Sequence, residues 1–221
     1  MLVQGVFQGL RLFQGCAMEE VRRLTLGARQ VTHQHKELLF EHGQPVDSFA
    51  IVLQGCYKLY FPRPKAVLLG FALKDDPIGL HMMTLKDGTF PMAVQSLGVS
   101  QVVNIPKATF VKHWLASPDM AFRVHTAIAR RCLDLEADRG LQAFPLERRL
   151  AGFLLRCFEQ YGDGDTRTLR FPLSRREIGE AVGAQEESVI RVMSRWEKAG
   201  VISTRAQRIQ IMRPDWLARV D

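Results

Sequence analysis

Four residues near the C-terminal end have the types and spacing to read a nucleic acid. Gln185, Glu186, Glu187 and Arg191 fall on the exposed side of one predicted helix, together with Ser188 and Arg195. The rigid arginine fork matches O6 and N7 of guanine, and a glutamate accepts from the amino group of cytosine. Two plainer roles compete. Glutamates at a helix start complement its dipole, and Glu187 and Arg191, four apart, can pair with each other. Ser174, Arg175, Ser188, Arg205 and Arg208 are candidate phosphate contacts, which position a protein on DNA without specifying sequence.

The elements that must position these residues are legible around them. Ser174 with Glu177 three residues on is a capping box. The helix it opens runs to Val182, and Gly183 makes the turn. A second helix starts at Gln185, reaches Ala199 and stops on Gly200 as a C′ glycine. Ile178, Val182, Val189 and Val192 face inward, and small Gly179 stands where the second helix must approach closely. This is the pattern of a helix-turn-helix, whose second helix lies in the major groove. The hairpin expected from Val201–Ser203 and Arg208–Met212 would be its wing.

Upstream, Leu146–Tyr161 reads as an amphipathic helix burying Leu150, Phe153, Leu154 and Phe158. Gly162 to Asp165 is a turn, and Leu169–Phe171 a short strand. Ser117-Pro118 caps a long helix out to about Leu141. Its narrow apolar stripe, with Val124, Ile128, Cys132 and Leu135, suits a coiled-coil dimer seam. An ordinary helix packed on its own domain is the alternative. Phe144-Pro145 then forms a hinge, because proline disfavours helix in the residue before it. Residues 31 to 110 hold short apolar runs punctuated by glycine, the mark of an antiparallel barrel or roll. They include Leu38–Phe40, Phe49–Leu53, Cys56–Phe61, Ala66–Leu73 and Val102–Ile105. In Met18–Leu26, Met18, Val21, Leu24 and Leu26 approximate helical spacing. The domain limits expected are 1–116, 117–143 and 144–221.

Composition narrows the function. The 221 residues carry 30 Lys+Arg against 23 Asp+Glu, a net +7, which favours a polyanionic partner. Residues 146–221 hold 14 basic groups, 13 of them Arg. Cys16, Cys56, Cys132 and Cys157 are widely spaced, which supports neither a zinc nor an iron–sulfur site and suits reduced thiols. There is no apolar run long enough for a membrane helix and no signal-peptide pattern, so a cytoplasmic protein is expected. No nucleophile–base pair, phosphate loop or metal cluster marks an enzyme.

Together these segments resemble the Crp/Fnr superfamily over about residues 30–215. Leu39-Phe40-Glu41-His42-Gly43-Gln44-Pro45, followed by Phe49–Gly55 and Tyr57-Lys58-Leu59-Tyr60, is similar to that family's cyclic-nucleotide-binding roll. Ala129-Arg130-Arg131 resembles the start of its dimerisation helix. Glu187-Ser188-Val189-Ile190-Arg191 matches its recognition element E-[ST]-x-x-R. The resemblance implies an α+β architecture: an N-terminal cyclic-nucleotide-binding-like β-roll, a long dimerisation helix and a C-terminal winged helix-turn-helix. It also implies a homodimeric transcriptional regulator on palindromic double-stranded DNA, with RNA polymerase as a further partner.

The departures from the family concern the effector. A cyclic-nucleotide sensor would have Gly-Glu near Gly79 and Arg-Ser or Arg-Thr a dozen residues later. Here Gly79 precedes Leu80, and the later segment reads Phe90-Pro91-Met92-Ala93. Cyclic AMP is therefore not expected, nor is an iron–sulfur cluster, since Cys16 alone stands in the N-terminal region. Ala206 replaces a glycine common in the family's wing. His81, Met82 and Met83 form a possible effector pocket that looks somewhat like the nitric-oxide-responsive, haem-associated branch. His81, with His33 and His35 on one face of a predicted strand, could ligate haem, although methionines in such a segment more often pack a core. A small apolar or anionic ligand, a gas, a thiol switch at Cys56 or Cys132, and no effector at all stay open. A haem- or small-ligand-binding sensor with little or no DNA binding is the second function class.

Overall fold

A computed structural model describes residues 7, 9–62, 67–141 and 143–220. It resolves into two compact units. One comprises Met1–Pro62 and Gly70–Leu133; the other comprises Arg63–Leu69 and Asp134–Asp221. The division falls inside the long helix.

The first unit opens with helix α1 (Met18–Leu24), which buries Val21 and Leu24. The strands that follow are β1 (Arg29–His33), β2 (Leu38–Phe40), β3 (Ser48–Gln54), β4 (Cys56–Phe61), β5 (Val67–Leu73), β6 (Pro77–Ile78), β7 (Ala93–Ser96) and β8 (Ser100–Pro106). They form two four-stranded sheets, in the orders β1-β8-β3-β6 and β2-β7-β4-β5. β3 is buried on both faces through Phe49, Ala50, Ile51 and Val52, so it reads as a continuous apolar run rather than an alternating one. The turn between β3 and β4 demands glycine: Gly55 has φ +85°, and a Cβ there would meet the Ser100 side chain. The expected strand beginning at Ala66 is described from Val67 onward; Ala66 lies outside the described residues. β6 and β7, of two and four residues, lie outside the expected apolar runs because each is short.

After β8 a helical turn at Lys107–Thr109 widens into a π-helix, Phe110–Trp114. Phe110 and Trp114 are buried against Phe49, with ring centroids 5.8 and 5.1 Å away. Trp114 Nε1 donates to the Leu24 carbonyl at 2.8 Å, and Thr109 Oγ1 to that of Leu26 at 2.7 Å. The first bond ties α1 to the π-helix, and the second ties the residues that flank them. Helix α2 (Pro118–Leu141) follows. Its start at Pro118 is as the sequence predicts, and part of its apolar stripe packs on its own domain. Met120 and Val124 are buried in the core of the first unit, and Ile128 packs against that core. Val124 and Ile128 are thus occupied by their own domain. Cys132 is exposed, and the Leu135 side chain lies outside the described residues. Among the described side chains of α2, Phe122 and Leu133 are large apolar groups left in solvent, 70% and 65% exposed. Eleven residues apart, they lie within about 20° on the helix circumference.

The second unit contains α3 (Leu146–Tyr161), β9 (Gly162–Asp163), β10 (Thr168–Leu169), α4 (Arg175–Val182), α5 (Glu186–Lys198), β11 (Ile202–Arg205), β12 (Arg208–Ile211) and α6 (Pro214–Leu217). The strands make one sheet, β11-β12-β10-β9. Leu150 and Leu154 of α3 are fully buried, and Trp196 of α5 meets Trp216 of α6 edge to face at 5.9 Å. Among the described residues no helix is long and apolar enough to cross a membrane.

Candidate nucleic-acid interface

The α4–turn–α5 unit is held by local chemistry and by packing. Ser174 Oγ accepts from the Glu177 amide at 3.1 Å, while the Glu177 carboxylate accepts from the Ser174 amide at 2.9 Å and from its hydroxyl at 2.8 Å. The reciprocal box satisfies amides at the start of α4. Gly183 ends the helix with φ +65°. Ile178, Val182, Val189 and Val192 are all buried between the helices. At Gly179 a Cβ would stand 2.8 Å from the Ala184 carbonyl oxygen, so the close approach requires glycine. Arg149 of α3 donates to the Val182 carbonyl at 2.7 Å, closing the C-terminal end of α4.

With its inner face fixed, α5 presents a defined outer face. Gln185 is its N-cap by backbone only; the side chain makes no capping bond and is exposed. Glu186, Glu187 and Arg191 are also exposed. Among the described residues no ion pair joins Glu187 to Arg191, so that competing role leaves both groups available. Ser188 is half-buried one turn in. The sequence reading missed Ile190, which is 42% exposed next to Arg191. An apolar side chain in that place can meet a thymine methyl group. An isoleucine that breaks the buried pattern of Val189, Val192 and Met193 was the available signal.

The structure separates the expected phosphate contacts. Arg205 and Arg208 flank the wing turn, exposed and directly opposite each other in register. Facing like charges destabilise a hairpin and attract a polyanion. The turn between them places Ala206 at φ +48° and Gln207 at φ +62°, the left-handed values a two-residue hairpin turn needs. The Leu173 amide donates to the Gln207 carbonyl at 2.8 Å and braces it. Ser174 and Arg175 are placed differently from expectation. The Ser174 hydroxyl is committed to Glu177. Arg175 is half-buried, and its Nη2 donates to Glu197 Oε1 at 2.8 Å and Thr204 Oγ1 at 3.0 Å. It therefore clamps α4 to α5 and to the wing. Arg195 is likewise engaged, with Glu147 of α3 at 2.9 Å, and this bond holds the Glu147 carboxyl below its usual range.

The expected effector residues do not converge. Leu80, Met82 and Met83 are buried in the core of the first unit with Phe90, whose ring stacks on Phe40 at 4.1 Å. A Cβ at Gly79 would stand 2.8 Å from that Phe90 ring. Apolar side chains thus pack around Gly79. His33 is buried, and its Nδ1 lies 2.9 Å from the Tyr57 hydroxyl. Burial lowers the His33 pKa and raises that of Tyr57. His35 sits in an exposed turn after β1, not on a strand face shared with His33. His81 is exposed, its pKa lowered by desolvation and by the charge of Arg131. Of these groups, one histidine is held by tyrosine, two are exposed and both methionines are core.

Comparison with known proteins agrees with this geometry. Residues 148–220 match the Crp-like helix-turn-helix domain and residues 30–114 the cyclic nucleotide-binding domain. The transcriptional activatory protein AadR of Rhodopseudomonas palustris is 26% identical over 202 residues, covering 89% of this chain and 81% of its own. The nitrogen fixation regulation protein FixK of Bradyrhizobium diazoefficiens is 27% identical over 208 residues, 91% and 84% of the two chains. The fumarate and nitrate reduction regulatory protein of Escherichia coli is 26% identical over 196 residues, 85% and 76%. In fold, the FixK2 structure from Bradyrhizobium japonicum superposes with a TM-score of 0.77 at 20% identity, covering 88% of this chain and 97% of that one.

Proposed function

The chain belongs to the Crp/Fnr family of transcription regulators, and from that premise we propose that it works as a cytoplasmic homodimer reading a two-fold symmetric DNA site through α5. The observation that carries the reading is the outer face of α5. Gln185, Glu187, Ile190 and Arg191 are exposed there on a helix whose opposite face is buried and whose neighbour is capped and clamped. Arg191 reads guanine and Glu187 its paired cytosine; Gln185 and Glu186 contact bases at the end of the helix. Arg205, Arg208 and Ser188 hold the backbone. Arg175 and Ser174 shape the surface without being spent on phosphate.

Dimerisation sets the spacing. Phe122 and Leu133 on α2 form the seam with a second copy, so that two recognition helices meet successive major grooves about 34 Å apart. RNA polymerase is the partner that would turn occupancy into regulation. The packed roll interior supports an effector other than cyclic AMP.

The test is selection of bound fragments from a random DNA library by the purified protein, followed by gel retardation. The expected outcome is an inverted repeat with half-sites one helical turn apart. A single unrepeated site, or no enrichment with the protein folded and dimeric, rejects the reading.

A further inference from the structure

We propose that a cleft of about 290 Å³ between α1 and the π-helix is the effector site, and that it takes a small hydroxylated polyanion carrying carboxylate or phosphate groups. The proposal rests on the reading of the chain as a ligand-set regulator. It moves the ligand from the filled roll interior to the entry of α2.

Each element of the cleft contributes a cation, Arg23 from α1 and Lys112 from the π-helix. Both are exposed, and neither has a carboxylate partner among the described residues, whereas neighbouring Arg22 pairs with Glu19 at 3.7 Å. Unpaired cations around a concavity concentrate anions there. His113 also lines the cleft, and its Nε2 is enclosed without a hydrogen-bond partner. Ser117 Oγ accepts from the Met120 amide at 3.4 Å, which leaves its hydroxyl proton to donate. It stands at the head of the 24-residue α2, where the helix dipole favours negative charge. Glu20, on the same rim, adds a carboxylate. A ligand with a hydroxyl beside its anionic groups answers this carboxylate. The volume is at the small end of ligand pockets and suits a small metabolite.

The site is placed to transmit. π-Helices are rare and cluster at functional sites, and this one runs through Leu115–Ser117 into α2. A ligand bridging Arg23 and Lys112 fixes α1 against the π-helix, along the line of the Trp114–Leu24 bond, and so orients the first turn of the helix that bears Phe122. Binding then shifts the balance between two settings of α2.

The full-length protein would be titrated with citrate, and separately with inorganic phosphate, by calorimetry and by tryptophan fluorescence, for which Trp114 is the local reporter. Saturable binding at one site per chain is expected for citrate. Arg23→Ala with Lys112→Ala should weaken it by at least about tenfold, the loss of two charge-assisted contacts. Arg22→Ala should leave it unchanged, and Lys112→Gln serves if the double variant is unstable. Citrate should also change affinity for the selected DNA. Failure of both anions to saturate, binding indifferent to Arg23 and Lys112, or binding without effect on DNA affinity each overturns the proposal. So does a double variant that loses DNA affinity but keeps citrate, because its cations then serve the DNA backbone. Retention of DNA by the wild type without ligand is scored separately. A wild type that binds citrate in the cleft but retains no DNA under any condition defeats the regulator reading and, with it, the effector role, while leaving the anion site standing.

Discussion

Arg175 Nη2 lies 2.8 Å from Glu197 Oε1 and 3.0 Å from Thr204 Oγ1, so one guanidinium joins the first helix of the helix-turn-helix to the second and to the wing. Both partners of the ion pair are partly shielded, with side chains 20% and 33% exposed. Arg175→Ala should lower stability by about 1–2 kcal/mol, between the value of a charged hydrogen bond and that of an exposed ion pair. It should weaken binding to all DNA sequences alike by loosening the wing. Urea denaturation of the variant checks the first part. An unchanged midpoint with weaker DNA binding would return Arg175 to direct phosphate contact.

Arg191→Ala should cost about 1–3 kcal/mol on the selected operator and relax preference at one base pair. Binding to scrambled DNA should barely change. Equal losses on the two DNAs, measured by fluorescence anisotropy at fixed salt, would show that Arg191 touches phosphate only.

The wing turn holds two non-glycine residues in left-handed conformation, which L-residues adopt at a cost. Ala206→Gly should raise stability by roughly 0.5–1 kcal/mol, since the relieved strain exceeds the extra freedom of the unfolded chain. A lower thermal midpoint for the variant would argue that the turn is unstrained.

Burial lowers the His33 pKa from its ordinary 6.5. The unfolded state then binds more protons below that pH, so stability falls as pH drops beneath about 6.5. His81 is shifted in the same direction. Glu147 contributes only below the ordinary carboxylate range, and Asp76, its pKa raised by burial, acts with the opposite sign. Between pH 7.5 and 5.5 the histidines therefore set the slope. Replacing His33 with Gln should flatten it without removing it, as read from urea midpoints across that range. An unaltered slope would mean that His33 titrates normally.

Phe122→Asp or Leu133→Asp should convert the dimer to monomer in sedimentation velocity with the fold intact by circular dichroism. Val124→Asp should instead unfold the first unit, because Val124 is only 8% exposed and lies in its core. A monomer from a folded Val124 variant would restore the seam expected from the sequence.

Helix limits, caps and the recognition unit were readable because their causes are local. A capping box, a left-handed glycine and a proline act within four residues, so Ser174–Glu177, Gly183 and Pro118 announce their roles. The burial of Ile178 and of Val189 follows from periodicity. Residues that act across the chain were not readable. Glu197 stands 22 positions from Arg175, and nothing in its own neighbourhood marks it as a partner. The stripe of α2 shows the same limit: periodicity reveals that Val124 and Ile128 share a face but not whether that face meets its own domain or another copy.

The chain's order of residues was sufficient for the roll, the long helix and the helix-turn-helix, since each depends on side chains within a short segment. The three-dimensional packing alone decided that Met82 and Met83 are core, that His33 answers Tyr57 while His35 faces solvent, and that α2 leaves Phe122 and Leu133 uncovered. Those outcomes depend on which surfaces meet, and burial is a property of the neighbours a residue acquires when distant segments close around it.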